Sequence, residues 1–264
     1  HGSTAELLWD VLQFIACIMF VFGSVCFFDG LPGIYFKLGS VQFIAASLIY
    51  VAAAGAHMQE LFHHKGDEAM TTSEFLEQLA YLISAVVFAV GTILFDQNIY
   101  FGNEQAAAIG ELIAAWSFFF GSMGFAIATF FNAVTMSKGK MLEEFPASVS
   151  DLCYRLTVMS LFGAMMGSLL FTTGSYLYQP NLSGGCKDWR TRQYDASKPA
   201  FCLRIIDQGT VMYVIGSFFY LFTSVCGILK ILAIRRALHT IDPTSQKVYE
   251  CFIKDELSDS TSDA

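Results

Sequence analysis

Charge is what this chain has least of. Only 14% of its 264 residues are Asp, Glu, Lys or Arg, while 55% are hydrophobic and 26 are Phe. Soluble domains carry nearer a quarter charged residues, so the composition excludes one and points to a bilayer. The short motifs that bring chemistry with them are also missing. There is no Gly-x-x-x-x-Gly-Lys-[Ser/Thr] loop, no Gly-x-Ser-x-Gly elbow, no His-Glu-x-x-His helix and no Cys-x-x-Cys pair. Nucleotide, acyl-transfer, zinc-hydrolase and dithiol chemistry therefore have no visible carrier. A net charge of −8 argues against a nucleic-acid partner. The expectation is a protein without catalytic residues, without a metal and without a dedicated cofactor.

What is present is hydrophobic length. Six apolar spans run from Leu7 to Phe28, Ile34 to Ala56, Leu76 to Phe95, Ala106 to Val134, Leu152 to Tyr178 and Ile205 to Ile234. Each reaches the ~20 residues a helix needs to cross a ~30 Å hydrocarbon core. The fold class expected is an all-α integral membrane protein, six transmembrane helices arranged as three tandem hairpins. Hairpin 1 covers residues 7–62, hairpin 2 73–136 and hairpin 3 150–237, the last with a long loop at 179–204. A polar acidic tail follows at 238–264. Residues 1–6 form a lead in which His1-Gly2-Ser3 resembles the remnant of an affinity tag. The first span does not look like a signal peptide, because Glu6 precedes it where Lys or Arg belongs and no small-residue cleavage site follows.

The spans share an internal repeat. Gly-[Ser/Thr]-x-x-[Phe/Tyr] begins at Gly23, Gly39, Gly91, Gly121, Gly167, Gly174, Gly209 and Gly216. A repeat of this kind fixes architecture before any single residue can. In an apolar helix the glycine lets a neighbouring backbone approach, the hydroxyl bonds back to its own helix, and the aromatic one turn later fills the adjacent groove. Gly23, Gly39, Gly91, Gly121, Gly167 and Gly216 are accordingly expected to face other helices, with Gly23, Gly39 and Gly91 in a layer at a common depth. Counting from these glycines, Ala16, Ser84 and Ser160 lie seven before them in the odd spans, and Ser47, Thr129 and Ser224 eight after them in the even ones. The doubled signature in hairpin 3 leaves its register open between Gly209 and Gly216.

Loop charge sets an orientation. With six spans, both termini and the loops at His63-His64-Lys65 and Lys138-Gly139-Lys140 share one face. That face holds nine of the fifteen Lys and Arg: Lys65, Lys138, Lys140, Arg155, Lys230, Arg235, Arg236, Lys247 and Lys254. Five of the others sit in the long loop, where the positive-inside rule has least force. Both termini are expected on the cytoplasmic-equivalent face, with residues 179–204 on the oxidising face. Cys186 and Cys202 bracket that loop and are expected to form a disulfide closing about 15 residues, worth roughly 3 kcal/mol. Cys17, Cys26, Cys153, Cys226 and Cys251 read as buried or free thiols.

Ionisable groups inside a membrane receive a functional hypothesis by default. Glu111, Asp207 and Asp29 all fall near the outer ends of their spans, where they suit helix capping and hydration or, in the sharper alternative, the mouth of a cation or proton path. Asp10 lies deeper from the inner side beside Trp9, an interfacial anchor. His57 ends the second span and offers one axial position, where bis-His haem ligation needs two. The span centres read as Phe, Ile, Val, Ala and Met.

The hairpins resemble the YrhK-like family of small membrane domains, in which a two-helix unit carries Phe-x-x-Gly-Ser-x-x-Phe-Phe and then a second Gly-Ser. Phe20-Val21-Phe22-Gly23-Ser24-Val25-Cys26-Phe27-Phe28 followed by Gly39-Ser40 carries the likeness, and Phe88 to Phe95 with Phe118 to Phe125 repeats it with Thr92 for Ser. The third hairpin departs from the pattern at Gly163 to Ser168. The resemblance implies a membrane hairpin and no particular activity. By contrast, the Pro-x-[Asp/Glu]-x-x-[Lys/Arg] element of mitochondrial carriers is absent. The expected function is that of an accessory or scaffold subunit, its Phe-rich surfaces meeting lipid, pigment or other membrane subunits. The alternative is a channel or transporter for a small solute or ion.

Overall fold

The computed structural model describes residues 4–28, 31–64, 72–138, 147–179 and 201–240. Within them lie six long helices: α1 (Thr4–Val25), α2 (Gly33–His64), α3 (Thr72–Leu94), α4 (Glu104–Lys138), α5 (Ala147–Leu177) and α6 (Phe201–Thr240). All six are long and apolar enough to cross a membrane, over Leu7–Val25, Gly33–Gln59, Thr72–Leu94, Gln105–Thr135, Val149–Leu177 and Asp207–Ala237. The protein is an all-α integral membrane protein. Cys186, the tail beyond Thr240 and Asp29 lie outside the described residues, as do the side chains of Glu6 and Cys202; α6 takes in the first three residues given to the tail. The expected disulfide and one of the three outer carboxylates fall there with them.

Local chemistry explains the one connection seen in full. The Asp96 carboxylate accepts from the Asn98 backbone at 3.1 Å and opens a single 3-10 turn, Gln97–Tyr100. Phe101 (φ 49°) and Gly102 (φ 83°) then reverse the chain through left-handed conformations. The Asn103 side chain accepts from the Ala106 N–H at 3.1 Å, capping the first turn of α4.

The helices form a closed ring in chain order. α1 packs on α2, α2 on α3, α3 on α4, α4 on α5, α5 on α6, and α6 returns to α1. Successive helices run antiparallel, so the start of α1, the facing ends of α2 and α3 and of α4 and α5, and the end of α6 share one face, the termini face. The α3–α4 turn and the facing ends of α1 and α2 and of α5 and α6 mark the other, the hairpin-turn face.

Within each hairpin the packing is reciprocal. A Cβ added to Gly23 would stand 3.2 Å from the Gly39 carbonyl oxygen and 2.6 Å from the Phe43 ring; one added to Gly39 would stand 2.9 Å from the Gly23 oxygen and 3.1 Å from Phe27. Each glycine thus receives the backbone of its partner and the aromatic four residues beyond it. Gly174 and Gly209 repeat the arrangement with Tyr178 and Tyr213, and Gly167 and Gly216 with Phe171 and Tyr220. In hairpin 2, Gly91 receives the Ala114 oxygen and Phe118, while Gly121 lies on the backbone of Phe88.

These contacts put Gly23, Gly39 and Gly91 in one layer, as expected, and correct the register of the later copies. Gly23, Gly39, Gly91, Gly174 and Gly209 belong to the layer nearer the hairpin turns, where Ala114 stands in for the sixth glycine. Gly121, Gly167 and Gly216 belong to a second layer, seven residues deeper, completed by Ala16, Ala46 and Ser84. Each of the twelve small residues is buried, each is followed by a second buried residue, and each has Phe or Tyr four positions on. The true equivalent of Gly39 in hairpin 3 is Gly209. The equivalents of Ser47 are Ser122 and Ser217, and Gly167, with Ala16 and Ser84, takes the place read for Ser160. The heptad spacing is what misplaced the register, since two helical turns carry one layer onto the next.

Candidate functional site: an axial cavity

In the half of the bundle nearer the termini face the ring encloses a cavity whose wall is mainly apolar in area but carries hydroxyls, an amide and a carboxylate. Its floor is three phenylalanines from the odd helices, Phe20, Phe88 and Phe171, only 5%, 4% and 2% exposed. Their ring centroids form a near-equilateral triangle with sides of 5.9, 6.2 and 6.0 Å. Two of these contacts are edge-to-face and the third tilted, the geometries aromatic quadrupoles favour. This triad closes the axis toward the hairpin turns. Beyond it lie Phe27, Phe43, Phe95 and Tyr213, linked by Phe27–Phe43, Phe27–Phe95 and Phe43–Tyr213 contacts at 5.1, 6.0 and 6.4 Å.

Above the floor, every helix contributes polar or aromatic groups. Asp10 and Gln13 come from α1, Ser47 and Tyr50 from α2, Tyr81 from α3, Phe125 and Thr129 from α4, Ser160 and Ser168 from α5, and Tyr220, Thr223 and Ser224 from α6. The space open to water-sized groups is about 180 Å³, room for roughly ten waters. Hydrogen bonds hold the wall in shape. Tyr220 and Ser168 pair their hydroxyls at 2.8 Å, and Cys17 joins the Tyr50 hydroxyl at 3.0 Å to Ser224 at 3.3 Å. Thr223 donates to the Ser160 carbonyl at 3.2 Å. Gly227 leaves space for the Asp10 carboxylate: a Cβ there would stand 3.2 Å from Asp10 Oδ2.

Of the ionisable residues singled out in the sequence, only Asp10 lines the cavity. Glu111 is half-buried in the second turn of α4, at the opposite end of the bundle, and Asp207 is half-buried at the equivalent end of α6. Glu111 belongs to a small cluster at the α3–α4 turn. There the Tyr100 hydroxyl donates to the Leu94 carbonyl at 2.7 Å and fills the space left by the missing side chain of Gly110. Burial, then the Glu111 and Asp96 carboxylates, push the Tyr100 phenol above its ordinary value. Trp9 and His57 are half-buried on their helices, and neither lines the cavity. Among the described residues no group of three or more His, Cys, Asp and Glu is placed to hold a metal.

The expectation of apolar span centres needs correction. The lipid-facing sides are apolar, with Phe22, Phe130, Phe162 and Phe218 each more than half exposed. The axial side carries hydroxyls, an amide and a carboxylate. Averaging along a span hides such a stripe, because Ser, Thr and Tyr weigh little against their Leu and Phe neighbours. The signal available was spacing: Asp10, Gln13, Cys17 and Phe20 recur at three and four residues on one face of α1.

Scans of the chain against protein-family models, curated proteins and solved structures each return no match.

Proposed function

We propose that the protein is a membrane carrier or gated pathway for a small solute, taken into the axial cavity from the termini face. The observation that carries this reading is the cavity itself: a recess lined by all six helices, mainly apolar in area but carrying hydroxyls, an amide and the Asp10 carboxylate, and bounded at mid-bundle by the Phe20, Phe88 and Phe171 triad. Ser47, Thr129, Ser168 and Thr223 satisfy their hydroxyls on carbonyls of their own helices, so the costly group in the bilayer is the Asp10 carboxylate, and an ionisable group at that depth is a functional-site hypothesis by default. Hydrophobic constrictions of this kind gate conduction by excluding water. Loop charge favours the cytoplasmic-equivalent side for the termini face, and hence for the cavity mouth.

The test is permeability. In proteoliposomes the wild-type protein is expected to pass a small organic solute slowly, faster than protein-free vesicles, whereas Phe88→Ala, which opens one side of the triad, should leak it several-fold faster. Equal retention by both proteins, with Phe88→Ala folded, argues against the gate.

A second reading keeps the scaffold role suggested by the Phe-rich surfaces, as well as the YrhK-like kinship, which rests on the short motif. Its specific support is an apolar groove between α5 and α6, lined by Val158, Met159, Phe162, Ile215, Phe218, Phe219 and Phe222. Such a groove suits an acyl chain, a pigment or the helix of another subunit. The signature glycines lend it no support, because each packs inside its own hairpin. Co-migration of a stoichiometric second subunit on native purification would favour this reading.

A further inference from the structure

Resting on the solute-pathway reading above, we infer that the cavity takes a small organic ammonium ion, with the Asp10 carboxylate as counter-charge and the rings of Tyr50, Tyr81, Phe125 and Tyr220 as its cage. Two independent features point to this chemistry. The first is the sign of the wall: Asp10 is a carboxylate, Gln13 and the hydroxyls are neutral, and no Lys, Arg or His appears among the lining residues described. In a cleft with low-dielectric walls a single carboxylate focuses its field and concentrates cations. The second is the aromatic content. Tyr81 and Phe125 pack edge-to-face at 5.2 Å, and Tyr50 stands 6.4 Å from Tyr81 and 6.3 Å from Phe125, so three rings from three helices wall one side of the recess. Ring faces and a carboxylate together are how proteins recognise alkylammonium groups, whose diffuse charge is held by ring quadrupoles at little desolvation cost. A metal cation would ask instead for several oxygens in one tight shell, and an anion is disfavoured by Asp10. The volume of about 180 Å³ fits an ammonium of a few carbons.

The experiment uses Ala164→Cys, which places a thiol on the cavity wall, in the full-length purified protein. Labelling of the peptide bearing residue 164 is followed by mass spectrometry with two probes of similar size, aminoethyl methanethiosulfonate (an ammonium) and sulfonatoethyl methanethiosulfonate (an anion). Rates are divided by those for a free thiol. The ammonium reagent is expected to react about tenfold faster than the sulfonate, the lower end of electrostatic focusing. Asp10→Asn should bring the ratio close to one. Tetramethylammonium chloride should slow the labelling relative to sodium chloride at matched ionic strength. Equal rates for the two reagents in the Asp10 protein, or no protection by tetramethylammonium, would overturn the ammonium assignment while leaving a hydrated cavity and the pathway reading intact. No reaction with either reagent would sink both. Should Ala164→Cys fail to fold, Ser160→Cys, which exchanges one atom near the cavity mouth, is read in the same way.

Discussion

Two glycines of one helix make opposite predictions for the same substitution. A Cβ on Gly39 would fall 2.9 Å from both the Cys26 Cβ and the Gly23 carbonyl oxygen, and 3.1 Å from the Phe27 ring. The first two atoms are fixed to the backbone and cannot rotate away, so α1 and α2 must separate. Overpacking of this kind costs about 1–3 kcal/mol. Replacing glycine by alanine within a helix returns about 1 kcal/mol, so Gly39→Ala should be destabilised by about 1 kcal/mol net. Gly55, sixteen positions along α2, has nothing within 4 Å of its added Cβ. There only the helix gain applies, and Gly55→Ala should be stabilised by up to about 1 kcal/mol. The difference, about 2 kcal/mol, can be measured by titrating the folded protein in mixed micelles with sodium dodecyl sulfate and comparing midpoints. Midpoints that move by the same amount in the same direction would refute the reciprocal packing.

One further outcome follows from a contact at the ring closure, and another from the loop cysteines. The Ser24 and Ser217 hydroxyls meet at 3.1 Å between α1 and α6, where the ring closes. A double-mutant cycle of Ser24→Ala and Ser217→Ala should give a coupling of about 0.6 kcal/mol, the usual size for hydrogen bonds between membrane helices; additive losses would remove this bond from the closure. Cys186 and Cys202 should resist thiol labelling in unreduced protein and react after reduction, and ready labelling of both beforehand would contradict the bridge and weaken the assignment of residues 179–204 to the oxidising face.

Much of the fold was legible because bilayer physics leaves few choices. A span of twenty apolar residues becomes a helix, and a short polar connection between two spans makes a hairpin. Eight of the twelve packing positions announced themselves as Gly-[Ser/Thr]-x-x-[Phe/Tyr]. The four centred on Ala16, Ala46, Ser84 and Ala114 did not, because a methyl or hydroxymethyl group also allows close approach, and such residues are too common in membrane helices to stand out. That omission displaced the register of α4 by seven residues and left hairpin 3, read at Gly167 and Gly216, open to the same shift. The site was harder to find for a different reason. Glu111 and Asp207 drew notice as charges within apolar runs, yet their helices carry them to the end opposite the cavity. Tyr50, Tyr81 and Tyr220 look like packing residues in a linear sequence. Only closure of the ring turns them toward one another, and closure depends on contacts between residues two hundred positions apart, such as Cys17 with Ser224.

The central claim is that the cavity is wet, open to the termini face and sealed from the other by the phenylalanine triad. Sealed vesicles carrying Ala164→Cys in one known orientation test this directly, with a membrane-impermeant thiol reagent applied to each side in turn. Residue 164 should react from the termini face and stay unreactive from the hairpin-turn face, and adding Phe88→Ala should admit reagent from both. Failure to react from either side would mean a dry bundle, and equal reaction from both sides in the presence of Phe88 would mean that the triad is no barrier; each contradicts the account.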